Sequence, residues 1–452
     1  MEQHKENKMG VMPVNKLLIS MSLPMMISML VQAMYNIVDS IFVAQLSENA
    51  LTAVSLAFPM QSLMIAAATG TGVGVNALLS RSLGQKDFKT VNKTAVNGLL
   101  LWACWYLVFL IIGLTLVRPF YTLQSSPAEI TELGVEYLST ILICSIGIFA
   151  QMAFERILQA TGRTVCTMVT QMTGAIINII MDPILIFGLF GFPALGIKGA
   201  AIATVFGQIV AAVLALVMNI KLNHDVHISL KGFRPNGKII RTILSIGIPS
   251  MLMQAVGSVM TVGMNKILIS FSSTAVAVFG VYFKLNSFIF MPIFGLNNGM
   301  VPIVAYNYGA GKRDRLVKTI KYSVIYAVVL MFIGIVIFET IPDKLLLLFN
   351  ASEHMFEIGV PALRIICMSF SFAGVCIVLG SAFQALGNGI FSMIVSFTRQ
   401  IVILLPSAYL LSLTGNVNNV WWSFNIAEVA SLTATILFFI HMYKKIICKI
   451  GE

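Results

Sequence analysis

The chain has 452 residues, of which 58% are hydrophobic and 10% are charged, and its formal net charge at pH 7 is +11. A water-soluble chain carries about 25% charged residues, so this composition excludes a soluble enzyme or a soluble binding domain. Apolar runs of roughly 20 residues, long enough to cross a bilayer, recur along nearly the whole sequence. The composition therefore indicates a polytopic membrane protein.

Apolar runs separated by polar breaks predict twelve transmembrane helices, here called spans 1 to 12. In chain order their predicted limits are 17–45, 51–82, 93–117, 130–160, 164–188, 196–221, 239–270, 275–307, 317–340, 355–385, 391–413 and 420–443. The cysteines are scattered without a C-x-x-C pair, and no histidine stands at metal-ligand spacing from a cysteine or carboxylate. We therefore expect neither a disulfide framework nor a His/Cys metal centre.

The basic residues between the spans are distributed unevenly. If both termini face the cytoplasm, 22 of the 29 Lys and Arg residues lie in inner segments, and only Arg118, Lys198 and Lys344 lie in outer ones. Because positively charged loops stay inside, we expect a multi-pass protein of the inner (plasma) membrane with its N and C termini in the cytoplasm. This topology, together with anionic lipid, explains the positive net charge without nucleic acid as a partner.

The sequence repeats itself at a constant offset, here called the repeat offset, which is the separation of Pro24 and Pro249. The same offset aligns Ala50 with Ala275, Phe58 with Phe283, Gly70 with Gly295, Gly74 with Gly299, and Gly84 with Gly309. Each half holds an even number of spans, so the halves are parallel and related by a pseudo-two-fold axis along the membrane normal. We predict an all-α fold of two six-helix lobes. Its parts are a tail (1–16), an N-lobe (17–221), a cytoplasmic loop (222–238), a C-lobe (239–443) and a second tail (444–452).

A glycine-rich stretch, ATGTGVGVNALLSRSLGQKD (residues 68–87), matches the dinucleotide fingerprint G-x-G-x-x-A at Gly72, Gly74 and Ala77. A phosphate-binding loop follows a β-strand, whereas this stretch continues a long apolar run. Its counterpart in the second half does not keep the pattern. We therefore predict that these glycines serve close helix packing rather than phosphate binding.

Ionisable residues inside the spans are costly in lipid and mark candidate functional positions. Asp39 in span 1 and Asp182 in span 5 lie at one depth in the outer half of the membrane, so we expect their carboxyl groups to meet. Tyr35 and Asn36 precede Asp39 by one helical turn, and Asn178 precedes Asp182 by four residues. Two acids without an obvious cationic neighbour favour proton exchange or Na⁺ binding over a purely structural hydrogen-bond network.

The second half of the chain lacks this polar cluster. At the repeat offset Asp39 corresponds to Met264, Asn178 to Ile403, and Asp182 to Ser407. The second half carries instead Lys284 in span 8 and Glu428 in span 12. Each lies about eight or nine residues along its helix from the outer side, so the two are at a similar depth. We expect these two to form a structural or gating ion pair, with direct contact to a substrate as the alternative.

Four stretches carry a resemblance to a known family. They are LPMMISMLVQAMYNIVDSIFVAQLSENALTAVSLAFP (23–59), GVGVNALLSRSLGQKD (72–87), ILQATGR (157–163) and NIIMDPILIFGLFGFPALGIKGAAIAT (178–204). With them the sequence resembles, over essentially its whole length, the multidrug and toxic compound extrusion (MATE) transporters, in the prokaryotic branch whose coupling acids lie in the N-lobe. The resemblance implies export of small cationic or amphipathic drugs in exchange for H⁺ or Na⁺, without a cofactor and without enzymatic chemistry.

The resemblance also implies roles for individual residues. Asp39 matches the central coupling acid, and Asn178, Asp182 and the span 6 residue Thr204 complete the coupling-ion site, where Na⁺ is the alternative to H⁺. We expect Asn36 to belong to this site as well. The residues expected to line the substrate cavity are Gln32, Tyr35, Glu155, Lys284 and Glu428. Glu155 stands where the family often has asparagine, and this departure adds a charge near the cavity.

The mechanism we expect is alternating access by a monomer. Protonation or Na⁺ binding at the Asp39–Asp182 cluster would repack span 1, where Pro24 removes a backbone hydrogen bond and permits a bend. One alternative is a flippase for a lipid-linked precursor from the same superfamily, which is expected to place several basic residues in the cavity. Another is an intramembrane aspartyl protease, but the G-x-G-D motif of that class is missing around Asp182.

Overall fold

The computed structural model describes residues 6–124, 127–229, 233–349 and 351–450. These residues form helices joined by short turns, and none of them belongs to a β-strand. The all-α prediction is therefore confirmed.

The helices follow the predicted spans closely. They are Val14–Leu46 (span 1), Glu48–Gly84 (2), Phe88–Thr115 (3), Ala128–Ile143 with Ile146–Ala160 (4), Thr164–Phe187 (5), Gly196–Leu222 (6), Gly237–Leu268 (7), Ser273–Gly309 (8), Arg313–Thr340 (9), Glu353–Cys367 with Phe370–Ala385 (10), Gly389–Ser412 (11) and Val417–Lys445 (12). Short helices occupy Lys8–Val11, Val117–Leu123 and Pro342–Leu347, and 3₁₀ turns occupy Leu189–Gly191 and Ile447–Lys449.

Ten helices of the described chain are long and apolar enough to cross a membrane, and two bent helix pairs supply spans 4 and 10. Span 4 bends by 42° between its two segments, and span 10 bends by 49°. Both spans were predicted as single helices, because an apolar run does not reveal a bend. The two broken spans occupy equivalent places in the repeat, so the repeat extends to this irregularity.

Span 11 is irregular in a different way. Its middle, Thr398–Leu404, is a π-helix between the α-helices Gly389–Phe397 and Leu405–Ser412. Span 5, its counterpart in the first half, is α-helical from Thr164 to Phe187. π-Helical segments are rare, so the backbones of the two halves differ at this position.

Serine caps begin the second helix of each half. The hydroxyl of Ser47 accepts a hydrogen bond from the backbone N–H of Ala50 at 3.0 Å. Ser272 does the same for Ala275, again at 3.0 Å. Each serine satisfies a backbone donor that the first turn of a helix leaves free. The two caps are related by the repeat offset, so the repeat holds at the level of single hydrogen bonds.

The chain divides into two compact units. One, here called the N-unit, is Ile27–Met251, and the other, the C-unit, combines Met1–Met26 with Leu252–Glu452. The divisions lie within spans 1 and 7, each shortly after one of the repeat-related prolines Pro24 and Pro249. They differ from the lobe limits we expected, 17–221 and 239–443, because hydropathy locates loops and contains no information on where one helix changes neighbours.

Close helix packing explains where each division falls. In the N-unit a side chain at Gly74 would collide with the carbonyl oxygen of Ile243 in the first part of span 7. In the C-unit a side chain at Gly299 would collide with Ser22, whose hydroxyl donates to the carbonyl of Leu296 at 3.2 Å. The glycine-rich stretch is thus a packing surface inside a continuous helix, and it forms no phosphate-binding loop.

Candidate functional site

The two acids of the first half meet in the N-unit, as predicted. The carboxyl groups of Asp39 and Asp182 face each other at hydrogen-bonding range. Asp182 is fully buried. The Oδ1 atom of each carboxyl group is also buried and finds no hydrogen-bond donor among the described residues. The pair is therefore short of a positive charge or a proton.

Spans 5 and 6 hold this pair from one side. In the amide orientation that satisfies its hydrogen bonds, Asn178 donates to Oδ2 of Asp182 at 3.0 Å. Its carbonyl oxygen accepts from the backbone N–H of Thr204 at 3.0 Å and from the hydroxyl of Thr204 at 3.1 Å. The Tyr35 hydroxyl approaches Thr204 and lies close to both acids. Asn178 therefore links the acids to span 6.

Asn36 does not join this cluster. Its side chain is exposed, whereas Tyr35 points toward Asp39 and Thr204. Tyr35 and Asn36 lie about 100° apart around the helix, on either side of Asp39, and Tyr35 is on the side that faces span 6. The exposed Asn36 side chain makes no hydrogen bond to the acids among the described residues, and its part in the coupling site stays a prediction.

A polar cavity adjoins the acids within the N-unit. Its wall includes Gln32, Tyr35, Asn178 and Thr204, which the sequence had suggested. It also includes Gln151, Gln171, Gln208 and Gly174, which we had not singled out. Glutamine side chains are uncharged, so the search for ionisable residues in the spans passed over them, and only their convergence in space distinguishes them.

Glu155 lies behind this wall and is 1% exposed. Its Oε1 atom accepts from Gln151 at 3.0 Å and from Thr170 at 2.9 Å, while Oε2 accepts from Gln171 at 2.8 Å. Gln171 in turn accepts a hydrogen bond from Ser28. We had expected Glu155 to line the cavity. Instead it orients two glutamines that do.

The C-unit pairs its acid differently from our expectation. Glu428 Oε1 accepts from the guanidinium of Arg399 at 2.6 Å, whereas the ammonium of Lys284 lies 5.8 Å from the centre of the Phe349 ring. The expected Lys284–Glu428 pair is therefore not formed. Equal depth in the membrane does not decide which side of a helix a residue occupies, and span 12 turns Glu428 toward the π-helical part of span 11.

Comparisons with known proteins agree with this architecture. The MatE family model matches residues 24–184 and again residues 249–410, so its two matches begin at the repeat-related residues Pro24 and Pro249. The multidrug export protein MepA of Staphylococcus aureus strain MRSA252 is 27% identical over 429 residues, which cover 94% of this chain and 93% of that protein.

Two solved structures are similar over nearly the whole chain. The outward-facing conformation of a multidrug resistance MATE family transporter of the MOP superfamily has a TM-score of 0.91 at 26% identity and covers 99% of both chains. A MOP superfamily transporter from Pyrococcus furiosus, described as having a binding pocket of reverse polarity that suggests a different function, also has a TM-score of 0.91. Its identity is 26%, with 98% of this chain and 100% of that chain covered.

The family model covers most of the chain in two matched halves, and the spans agree with solved MATE structures, which have two six-helix lobes. The chain therefore belongs to the MatE family of multidrug and toxic compound extrusion transporters.

Proposed function

We propose that this transporter exports small organic cations and amphipathic drugs in exchange for H⁺, with Na⁺ as the alternative coupling ion. The observation that carries the proposal is the contact between Asp39 and Asp182, directly beside a polar cavity whose wall contains Asn178 and Thr204. The coupling ion and the drug then share structural elements, as an exchange mechanism requires.

The facing carboxyl groups explain how an ion would act. Two carboxylates at hydrogen-bonding range repel each other in a low-dielectric interior, so the pair is stabilised when it holds one shared proton or one monovalent cation. The unpartnered Oδ1 atoms of Asp39 and Asp182 are the places for such a proton. Carboxylate, amide and hydroxyl oxygens are also ligands that suit Na⁺ chemically, so Asn178 and Thr204 could complete a sodium site.

The cavity suits a cation or a neutral amphipathic molecule better than a phosphate. Its described lining residues include four glutamines, one asparagine and a tyrosine, and no lysine or arginine. Amide oxygens and the face of Tyr35 stabilise positive charge. A lipid-linked diphosphate would need basic residues there, which disfavours the flippase alternative. The related MepA proteins are multidrug export proteins, which supports drugs as the substrate class.

Span 1 connects the ion site to the transport movement in this proposal. Pro24 interrupts the hydrogen bonding of the helix, and the division between the compact units follows it closely, after Met26. Ion binding at Asp39 would bend the part of span 1 that follows Pro24 and release the drug outward. One charge that enters through about 100 mV supplies about 2.3 kcal/mol, which corresponds to roughly a fortyfold concentration ratio.

The orientation and the assembly state belong to the same proposal. The uneven distribution of Lys and Arg supports a cytoplasmic location of both termini in a bacterium. We propose that the protein works as a monomer in the plasma membrane. Accessibility of cysteines introduced into the loops, measured on intact cells, would test this orientation.

Transport in proteoliposomes tests the function. A fluorescent cationic dye would be loaded, and either a pH gradient without Na⁺ or a Na⁺ gradient at equal pH would be imposed. We expect dye movement driven by pH in the wild type and lost in Asp39→Asn and Asp182→Asn, while Asn36→Ala, a matched control at an exposed position, retains it. Movement that requires Na⁺ would make the same carboxylates a sodium site. If neither gradient moves dye while a lipid diphosphate binds, the flippase alternative would replace drug export.

A further inference from the structure

The C-unit holds an ion pair between a half-buried arginine and a buried carboxylate where the N-unit has an open cavity wall. Identical residues anchor the repeat in spans 5 and 11, since Met168 corresponds to Met393 and Thr173 corresponds to Thr398 at the repeat offset. The next residue is Gly174 in span 5 and Arg399 in span 11. Gly174 lines the N-unit cavity, so span 11 carries a guanidinium at the position where span 5 has no side chain.

The carboxylate that receives this guanidinium is only half satisfied. Arg399 donates to Oε1 of Glu428 at 2.6 Å. Glu428 is 8% exposed, and its Oε2 atom is buried without a hydrogen-bond partner among the described residues. Arginine–carboxylate pairs are frequently bidentate, whereas this pair has one hydrogen bond. Glu428 therefore has unused capacity to accept hydrogen bonds.

Aromatic rings flank the same carboxylate. Phe424 precedes Glu428 by one helical turn and lies on the same face of span 12. The ring of Phe424 is 5.8 Å from the ring of Tyr282, and Tyr282 is close to both Glu428 and Arg399. A carboxylate beside aromatic faces is the combination that binds organic cations. Arg399, which lies near Tyr282, is the cation that this carboxylate binds.

We propose that the C-unit contains a second cation site, built by Glu428, Tyr282 and Phe424, and that Arg399 occupies it as a tethered cation. The ligand that fits the site is a monovalent cation of guanidinium or amidinium size. Arg399 lies in the π-helical segment Thr398–Leu404, whereas the equivalent part of span 5 is α-helical. While the ion pair is formed, cation binding is restricted to the N-unit, which accounts for the functional difference between two repeats of one fold.

The ligand class is taken from the proposed export of cations, so the inference rests on that proposal, although the site itself is separate. The test uses the purified full-length transporter and methylguanidinium as the probe. Calorimetry would count bound probe molecules, and thermal unfolding would be followed at increasing probe concentration. The variants are Arg399→Ala, the control Arg399→Lys, which keeps a tethered cation, and the double variant Arg399→Ala/Glu428→Gln.

We expect Arg399→Ala to bind one methylguanidinium more than the wild type and to gain a saturable rise in melting temperature. Arg399→Lys and the double variant should show neither gain. If Arg399→Ala folds only when purified with methylguanidinium, that dependence and its loss in the double variant would give the same answer. An unchanged number of bound probes, or a gain that survives Glu428→Gln, would overturn the inference. If the wild type did not transport dye in proteoliposomes, that result would contradict the proposed function and leave the binding test of this site unaffected.

Discussion

Glu155 offers a test of whether a buried acid acts through its charge or through the side chains it holds. Three described side chains donate to it: Gln151, Thr170 and Gln171. Replacement by leucine, which has nearly the same size, removes the acceptors of all three hydrogen bonds. Replacement by glutamine keeps two of them, because the amide oxygen can still accept from Gln151 and Thr170. Gln171 would then have to turn its amide over.

The structure sets the size of the expected effect on stability. A buried donor left without an acceptor costs about 1–3 kcal/mol. Gln151 and Gln171 are only half-buried and adjoin the cavity, so they can turn toward water. Thr170 has a second acceptor, the carbonyl of Thr167 at 2.8 Å. We therefore expect Glu155→Leu to lower the free energy of unfolding by about 2 kcal/mol, well below the sum for three orphaned donors. Glu155→Gln should lower it by about 1 kcal/mol or less.

Binding of a cationic dye separates the two roles. If Glu155 positions the glutamines of the cavity wall, Glu155→Leu should raise the dissociation constant about tenfold, equivalent to about 1.4 kcal/mol, whereas Glu155→Gln should change it by less than about threefold. Fluorescence titration of both variants in detergent measures this, with denaturant unfolding as the parallel readout. Equal weakening in the two variants would refute the positioning argument and assign the effect to the charge.

Three further predictions concern the architecture and its stability. Gly74→Ala should cost about 1–3 kcal/mol through overpacking against span 7, whereas Gly280→Ala, whose added methyl group meets nothing within 4 Å, should be neutral or stabilising; denaturant unfolding of both variants compares them. Ser47→Ala and Ser272→Ala should each cost about 1 kcal/mol, and a large difference between them in the same assay would contradict their equivalence as caps. Hydrogen bonds from the neighbouring threonine hold the pKa of Asp87 below its usual value. Its small stabilisation is therefore complete above the ordinary aspartate pKa and is lost as the pH falls through the lowered one, so Asp87→Asn should flatten the acid side of the melting-temperature profile.

The sequence was sufficient for the spans and for the main acid pair. Spans are long apolar runs, so their number follows from composition along the chain, and a helix rise of about 1.5 Å per residue places Asp39 and Asp182 at one depth. The two acids were expected to meet, because neither has an obvious cationic neighbour in its span. For these two acids, depth in the membrane was sufficient to predict the contact.

The same reasoning failed for Lys284 and Glu428. Three charged side chains were available at a comparable depth, and Arg399 formed the pair at 2.6 Å. Which side of a helix a residue occupies depends on the number of residues per turn. A π-helical segment changes this number locally, and hydropathy does not reveal the change. The glutamines of the cavity wall could not be predicted for a related reason, because they come together only through the packing of three helices.

The repeat gives these successes and failures a common meaning. Serine caps, broken spans and prolines recur in equivalent places in the two halves, so both halves obey the same rules of helix packing. The charged residues inside the spans do not follow the repeat. In the N-unit the carboxyl groups of Asp39 and Asp182 are in contact, whereas in the C-unit Arg399 neutralises Glu428. Two acids in contact without a fixed counter-charge are costly in a membrane, and such groups mark ion pathways. The half that binds the coupling ion should therefore be the half whose acids lack a fixed counter-charge, and in this chain that half is the first.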